Sequence, residues 1–375
     1  MNFSISLNSK ANPRALANGL NIVMVGACLN QNGGIATVEK LILKHVPSDI
    51  EIQHISSHDE GSILYRLIVF ERALVTLLWR LLSRKTDLIH IHLSDGGSIL
   101  RKAILTIVAF MFRKPVVMHA HGAEFHSTYF GLPKIAQQVL GGILRQCDGF
   151  IVLSKTWEDF YISNLGLNAK QVFVLPNPTE LPAQVIHRTN VTKVSLVFCG
   201  RIGQRKGAFD LIRAFANLPV KQKNDSQLIL AGDGELKQGR KLVESLNLTE
   251  HVTFLGWIDA SARDELLSKA DVFVLPSYNE GLPMALLEAM GWGLPTIATP
   301  VGGIPDLVTS NKNGLLVTPG DIQQLSAAMQ LLIENETLRL SLGSAARETV
   351  APFDVKTYCY RLSDVYGSVL ESNEK

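Results

Sequence analysis

Residues 270–308 read ADVFVLPSYNEGLPMALLEAMGWGLPTIATPVGGIPDLV, and their pattern decides the fold class. The apolar run Val272 to Leu275 has the length and composition of a strand buried on both faces. A polar loop from Ser277 to Leu282 follows it. The spacing then predicts a helix with Pro283 at its first position, where a missing N–H costs nothing, and with Gly291 as its stop. A second short strand, Pro295 to Thr299, runs into the turn at Gly302 and Gly303. This is a strand, helix, strand unit. Its loop lies at the carboxyl end of the first strand, where open α/β sheets bind ligands and a helix start offers N–H groups to an anion.

Two carboxylates mark this unit. Glu280 lies in the loop and Glu288 well inside the helix, so they are expected at different depths of one site. As acceptors they suit sugar and ribose hydroxyls. Read alone, Glu280 caps the helix and Glu288 is solvated. Against that stands the setting of Glu288, among Leu286, Leu287, Ala289 and Met290. A charge amid apolar neighbours needs a partner.

The same grammar appears upstream. Val194 to Cys199 is a buried strand, followed by Gly200-Arg201-Ile202-Gly203-Gln204-Arg205-Lys206-Gly207 and a helix from Phe209. Three glycines and three cations in that place form a phosphate cradle, and the ending is not that of a Walker loop. Strands Gln227 to Ala231 and Val252 to Leu255 each end in glycine, which extends a doubly wound sheet.

A comparable series occupies the N-terminal half. Strands are expected at Asn21 to Cys28, Asp87 to Leu93, Pro115 to Ala120, Gly149 to Leu153 and Val172 to Leu175, with a turn at Asn30 to Gly34 and a helix over Ile35 to His45. Gly33 and Gly34 alone are a weak phosphate signal, because the GxGxxG pattern is incomplete. His90, His92, His119 and His121 sit near strand ends. Alternation puts each pair on one face, but no Cys or carboxylate completes metal-ligand spacing, and no metal is expected.

Composition sets the remaining bounds. A chain of 375 residues is long enough for two cores, and 46% hydrophobic with 19% charged residues is ordinary for a globular protein. A net charge of only +2 gives no reason to expect nucleic acid. Charge is nevertheless uneven: residues 62–114 hold nine Lys or Arg against three acids. Within them, Leu64, Leu67, Ile68, Leu74, Leu77, Leu78 and Leu81 fall at helical spacing with Arg66, Arg72, Arg80 and Arg84 between. Alone this is a core helix with a solvated basic face. Together with Arg101-Lys102 and Arg113-Lys114 it reads as a surface resting on anionic lipid.

The four cysteines show no CxxC spacing, as in a reduced cytoplasmic protein. Met1 to Gly19 has no signal-peptide character. The longest apolar run, Ala103 to Phe112, is half the roughly 20 residues a membrane span needs.

Asn279-Glu280-Gly281-Leu282-Pro283, with Glu288 eight positions after Glu280 and Pro-Val-Gly-Gly-Ile-Pro-Asp beyond, resembles the nucleotide-sugar site of retaining glycosyltransferases of family 4, group 1. The resemblance implies the GT-B architecture, two Rossmann-like doubly wound α/β domains facing across a cleft. The division expected is an extension at 1–19, an acceptor domain at 20–178, a linker at 179–192, a nucleotide-sugar domain at 193–354 and a helix at 355–375 crossing back. It implies catalytic roles for His121, Glu280, Arg201 and Lys206, with the two cations on the donor diphosphate. It further implies substrate contacts from Gly33, Gly34, Gly281, Leu282, Pro283 and Glu288, the last on the ribose. Trp257 or Ile258 would border the base, although Trp257 reads equally as packing.

The donor implied is UDP- or GDP-linked, used without metal or other cofactor. The acceptor expected is a growing glycan, or a polyprenyl-diphosphate-linked oligosaccharide, in surface polysaccharide assembly at the inner face of a membrane. A front-face reaction needs no nucleophile. The alternative is a nucleotide-sugar-binding scaffold without turnover. A two-carboxylate hydrolase fits poorly, because its acids must flank one sugar bond.

Overall fold

The computed structural model describes residues 19–185 and 189–373. The extension expected at 1–19 therefore lies almost wholly outside the described residues, as does part of the linker. By contacts the chain forms two units, Met1–Asn177 with Val355–Lys375, and Pro178–Asp354.

In the first unit β1 (Leu20–Gly26), β2 (Ile50–Ser56), β3 (Leu88–Leu93), β4 (Val116–Ala120), β5 (Gly149–Val152) and β6 (Val172–Val174) alternate with helices. These are α1 (Gly34–His45), α2 (Ile63–Leu82), α3 (Gly97–Met111), α4 (Phe125–Phe130), α5 (Lys134–Arg145) and α6 (Lys155–Leu165). The strands pair in parallel in the order β2-β1-β3-β4-β5-β6. Parallel strands covered by helices on both faces are buried throughout, and every residue of β3, β4 and β5 is buried, His90, His92 and His119 included. The sequence pattern does not predict β2, because IEIQHIS is too polar for a buried strand and lies at the sheet edge.

The second unit repeats the scheme. Its strands are β7 (Val194–Cys199), β8 (Ser226–Ala231), β9 (Val252–Gly256), β10 (Val272–Leu275), β11 (Thr296–Ala298) and β12 (Leu315–Leu316). Its helices are α7 (Ala208–Ala216), α8 (Val220–Asn224), α9 (Leu236–Ser245), α10 (Ala260–Ser268), α11 (Met284–Gly291), α12 (Ile304–Leu307), α13 (Ile322–Glu334) and α14 (Glu336–Val350). The sheet order is β12-β11-β10-β7-β8-β9, again parallel. The chain then returns to the first unit as α15 (Val355–Asn373), whose Tyr366 hydroxyl lies 2.8 Å from His90 Nδ1 on β3.

Three local expectations need correction. Pro283 caps α11 instead of opening it, since its extended ψ of 125° places it before the first helical residue. Gly291 is the last helical residue, and the left-handed stop is Gly293 at φ +70°. In α2 only Ala73, Leu77 and Leu81 are buried, whereas Leu64, Leu67 and Ile68 are exposed by 69%, 58% and 38%. Periodicity identifies the helix, but among the described residues of the first unit the apolar side chains of its first turns stay exposed.

In both sheets the strand order reverses beside the first strand of the unit, at β1/β3 and at β7/β10. Such a reversal splays the flanking loops and opens a crevice at the carboxyl ends of the strands.

Candidate active site

The crevice of the second unit receives both phosphate-type loops. The segment 200–207 leaves β7 and the segment 276–283 leaves β10, and β7 and β10 are neighbours through Leu196↔Val272 and Val197↔Phe273. Gly207 makes the close approach possible. It sits at φ +69°, and a Cβ there would meet Pro276 O at 2.0 Å. Tyr278 N–H donates to Arg205 O at 2.9 Å, and Gly303 N–H to Gly281 O at 2.7 Å. Gly302, at φ +56°, passes so near the Glu280 carbonyl that a Cβ would lie 1.8 Å from its oxygen.

Lys206 and Glu280, which are 74 positions apart, meet here. Lys206 Nζ donates to Glu280 Oε1 at 2.6 Å and Oε2 at 2.8 Å, and Ser277 Oγ donates to Oε1 at 2.7 Å. Glu280 is 4% exposed, so a buried carboxylate is compensated by a cation and a hydroxyl. Thr299 Oγ1 donates to Ser277 O, which ties β11 to the loop. Leu282 is buried and Arg201 exposed, at the other side of the first loop.

Glu288 lies on α11 with a different partner. Arg263 on α10 places Nη2 2.8 Å from Glu288 Oε1. Glu288 Oε2 and Arg263 Nε are buried without hydrogen-bond partners. Burial raises the Glu288 pKa to about 7, against the pull of the Arg263 guanidinium and with a small push from Asp264. The two glutamates thus have different partners, Lys206 for Glu280 and Arg263 for Glu288. Reading the sequence missed Arg263. It precedes Glu288 by a whole helix and strand, on a polar helix with no motif, and carried no signal. Trp257 and Ile258 follow β9 beyond Gly256, and Trp257 is 51% exposed.

In the first unit the four histidines form one stack across β3 and β4. Ring centroids are 4.0 Å apart for His119 and His121 and 5.1 Å for His92 and His121. His92 Nδ1 is 2.9 Å from His121 Nε2, and His90 Nε2 is 3.2 Å from His119 Nδ1. Burial lowers the pKa of all four, and His90 and His121 are pushed down to about 3. The imidazoles are therefore neutral at physiological pH, and His121 can hydrogen-bond a ligand but not supply a charge. His90, His92 and His119 bring ligand-type atoms within 4.8 Å of one another.

Lys102 does not belong to the basic surface. It is 3% exposed, and its Nζ donates to Val25 O, Gly26 O and Ser57 Oγ beneath the end of β1. Gly33 and Gly34 lie at the start of α1, on the rim of the first unit's own crevice.

Residues 183–349 match the family model of the glycosyl transferases group 1, and residues 45–181 that of glycosyltransferase family 4. An Escherichia coli UDP-Gal:α-D-GlcNAc-diphosphoundecaprenol α-1,3-galactosyltransferase is 28% identical over 318 residues, 80% of either chain. A Campylobacter jejuni GalNAc-α-(1→4)-GalNAc-α-(1→3)-diNAcBac-PP-undecaprenol α-1,4-N-acetyl-D-galactosaminyltransferase is 28% identical over 246 residues, 65% of either chain. Among solved structures, Anabaena HepE in complex with UDP-glucose superposes with a TM-score of 0.72 at 20% identity, over 93% of this chain and 100% of that one. That likeness establishes the two-sheet GT-B fold.

Proposed function

The chain belongs to the family 4, group 1 glycosyltransferases, and on that premise we propose that it moves a hexose, with retained configuration, from a UDP- or GDP-linked donor to a lipid-linked glycan. The observation that carries the donor half of this reading is the meeting of Lys206 and Glu280 at the β7/β10 reversal. It gathers a cation, a carboxylate and two glycine-shaped loops where a diphosphate and its sugar fit.

Lys206 and Arg201 take the diphosphate, whose charge grows as the bond to the anomeric carbon breaks. Lys206 is only 17% exposed, so its charge is poorly screened and acts strongly on that developing charge. Glu280 accepts from sugar hydroxyls and Glu288 from the ribose, through its unpartnered oxygen. Trp257 or Ile258 borders the base. His121, in the first unit, is a neutral hydrogen-bonding ring of the kind that suits sugar hydroxyls. As the acceptor oxygen bonds to the anomeric carbon on the face the leaving group departs, its proton passes to a leaving-group oxygen. No step of this sequence requires a metal.

The acceptor half is supported by relatives whose acceptors are undecaprenol-linked and by the surface of the first unit. On α2 the apolar side chains Ile63, Leu64, Leu67 and Trp79 are 58–76% exposed alongside Arg66 and Arg80. The adjacent α3 exposes Leu100 and Met111. Apolar groups interleaved with cations suit an anionic lipid surface, where the cytoplasmic leaflet presents polyprenyl carriers. No helix among the described residues is long and apolar enough to cross a membrane.

Calorimetric titration with UDP, GDP and their sugar conjugates, in EDTA, tests the donor assignment. One nucleotide is expected to bind, and Arg201→Ala to abolish binding. If none binds, the phosphate loops have no such role and a scaffold without turnover becomes the better reading.

A further inference from the structure

The histidine stack of the first unit has a geometry that spacing along the sequence does not show. His90 and His92 come from β3 and His119 from the neighbouring β4, so two paired strands hold three imidazoles that are each no more than 2% exposed. One nitrogen of each lies within 4.8 Å of the others. His90 Nε2 and His119 Nδ1 are 3.2 Å apart, and their rings are inclined by only 10°. That separation matches two imidazoles on one tetrahedral ion, because nitrogens about 2.05 Å from zinc stand roughly 3.3 Å from each other. The His92 ring centroid is 4.4 Å from that of His90 and 4.9 Å from that of His119. Its Nε2 is buried without a hydrogen-bond partner among the described residues.

The remaining nitrogens are engaged as metal-bound histidines require. A ligating imidazole is bare at one nitrogen and protonated at the other, which donates to a further group. His90 Nδ1 lies 2.8 Å from the Tyr366 hydroxyl of α15, and His92 Nδ1 lies 2.9 Å from His121 Nε2. Both arrangements leave Nε2 for an ion. His119 binds through Nδ1 and carries its proton on Nε2. The charges facing the cluster offset each other: Glu39 Oε1 is 3.9 Å from His92 Nδ1, and the Lys102 ammonium acts on His92 in the opposite sense. With neutral nitrogen ligands and no oxygen cage, the set suits zinc and not magnesium or calcium. His92 also lines the cavity at the end of β1, which gives an ion a path from solvent.

We propose that His90, His92 and His119 hold one zinc ion, with a solvent molecule in the fourth position. The ion braces β3 and β4 and, through the His90 contact to Tyr366, the helix α15 packed on them. It also acts on His121. With zinc on Nε2, His92 keeps its proton on Nδ1 and donates it to His121 Nε2, so His121 is fixed with its own proton on Nδ1. The ion takes no part in the transfer step. No Cys or carboxylate at ligand spacing marks the site in the sequence, because strand pairing alone joins ligands 29 positions apart.

The test uses the tag-free full chain, stripped in EDTA, incubated with zinc sulfate, desalted and assayed for metal by mass spectrometry. One zinc per chain and a higher melting temperature are expected, and neither effect from magnesium. His90→Gln and His119→Gln should each lose the ion, whereas His126→Gln, at an exposed position, should keep it. Cobalt(II) in place of zinc should give the visible bands of a four-coordinate site. A wild type that retains no zinc would overturn the proposal, as would unchanged zinc content in the two folded variants. If a variant fails to fold, the wild type carrying isotope-labelled histidine decides by NMR. Zinc should shift the ring nitrogens of His90, His92 and His119 and leave His121 protonated on Nδ1; shifts confined to other histidines, or none, would refute the site. Nucleotide binding is expected to persist in EDTA, so these outcomes stand apart from the donor reading.

Discussion

Replacing Glu288 with Gln is expected to make the nucleotide-free protein more stable at pH 8 and to cost it donor binding. Burial raises the carboxyl pKa from 4.5 to about 7. Between those values the folded state holds a proton that the unfolded chain has already released, so stability falls as pH rises from 4.5 to 7 and is level above. Integrated between pH 5 and 8, this fall is about 2 to 3 kcal/mol, because holding one extra proton across a single pH step costs roughly 1.4 kcal/mol. Glutamine has nearly the same shape and cannot ionise, so the variant lacks the fall. The attraction of Arg263 for the ionised carboxyl is already contained in the value of about 7, and at pH 5 the folded carboxyl is protonated, so what the variant changes besides ionisation is the hydrogen bond to Arg263, on the order of 1 kcal/mol and similar at both pH values. The clean quantity is therefore the stability difference between variant and wild type at pH 8 minus that at pH 5. Urea unfolding followed by tryptophan fluorescence measures it, since a difference of this size moves the midpoint by about 1 M. Trp257 and Trp292 report on the second unit. If the difference between variant and wild type is the same at both pH values, Glu288 carries no burial penalty, and the reasoning that a charge is held under strain for ligand binding fails.

Three further outcomes are expected. Lys206→Ala should lower kcat by about 10²–10³ while nucleotide affinity falls much less, because the lost contact strengthens as the leaving group gains charge; equal losses in both would make Lys206 a simple binding residue. Gly302→Ala should cost on the order of 2 kcal/mol or more in thermal unfolding and also impair donor binding, since the new Cβ would lie 1.8 Å from Glu280 O at a φ of +56°; an unchanged melting temperature would contradict the close approach. Arg80, Arg84 and Lys85 changed together to Glu should release the protein from anionic vesicles in co-sedimentation, and retention at wild-type levels would sink the lipid-surface reading.

Much of the second unit was legible because its strands are short and largely apolar, and those at 194–199, 226–231 and 252–256 run into glycine, so loops and strands announce one another. The strand Val194 to Cys199 and the strand Val272 to Leu275 have the bounds their composition implied. The Glu280 and Glu288 pair was legible from spacing and apolar context. Arg263 was not, because an ion pair between α10 and α11 leaves no trace in either helix's pattern. Lys102 was misplaced for a related reason. Next to Arg101 it reads as surface charge, and only the fold reveals that its side chain passes beneath β1 to three oxygen acceptors. Leu64, Leu67 and Ile68 show the limit of periodicity, which specifies an apolar stripe but not what, if anything, lies against it.

On the donor reading proposed above, the pairing of Lys206 with Glu280 makes the site behave as a conjunction. A ligand that brings only phosphate draws Lys206 away and leaves Glu280 in the interior, held by the Ser277 hydroxyl. A sugar without phosphate satisfies the carboxylate but gives the ammonium no new counter-charge. A nucleotide sugar serves both sides in one event, so it replaces every contact it breaks. On the same reading the product nucleotide lacks the half that answers Glu280, so the re-formed Lys206–Glu280 pair would compete with it and favour its release.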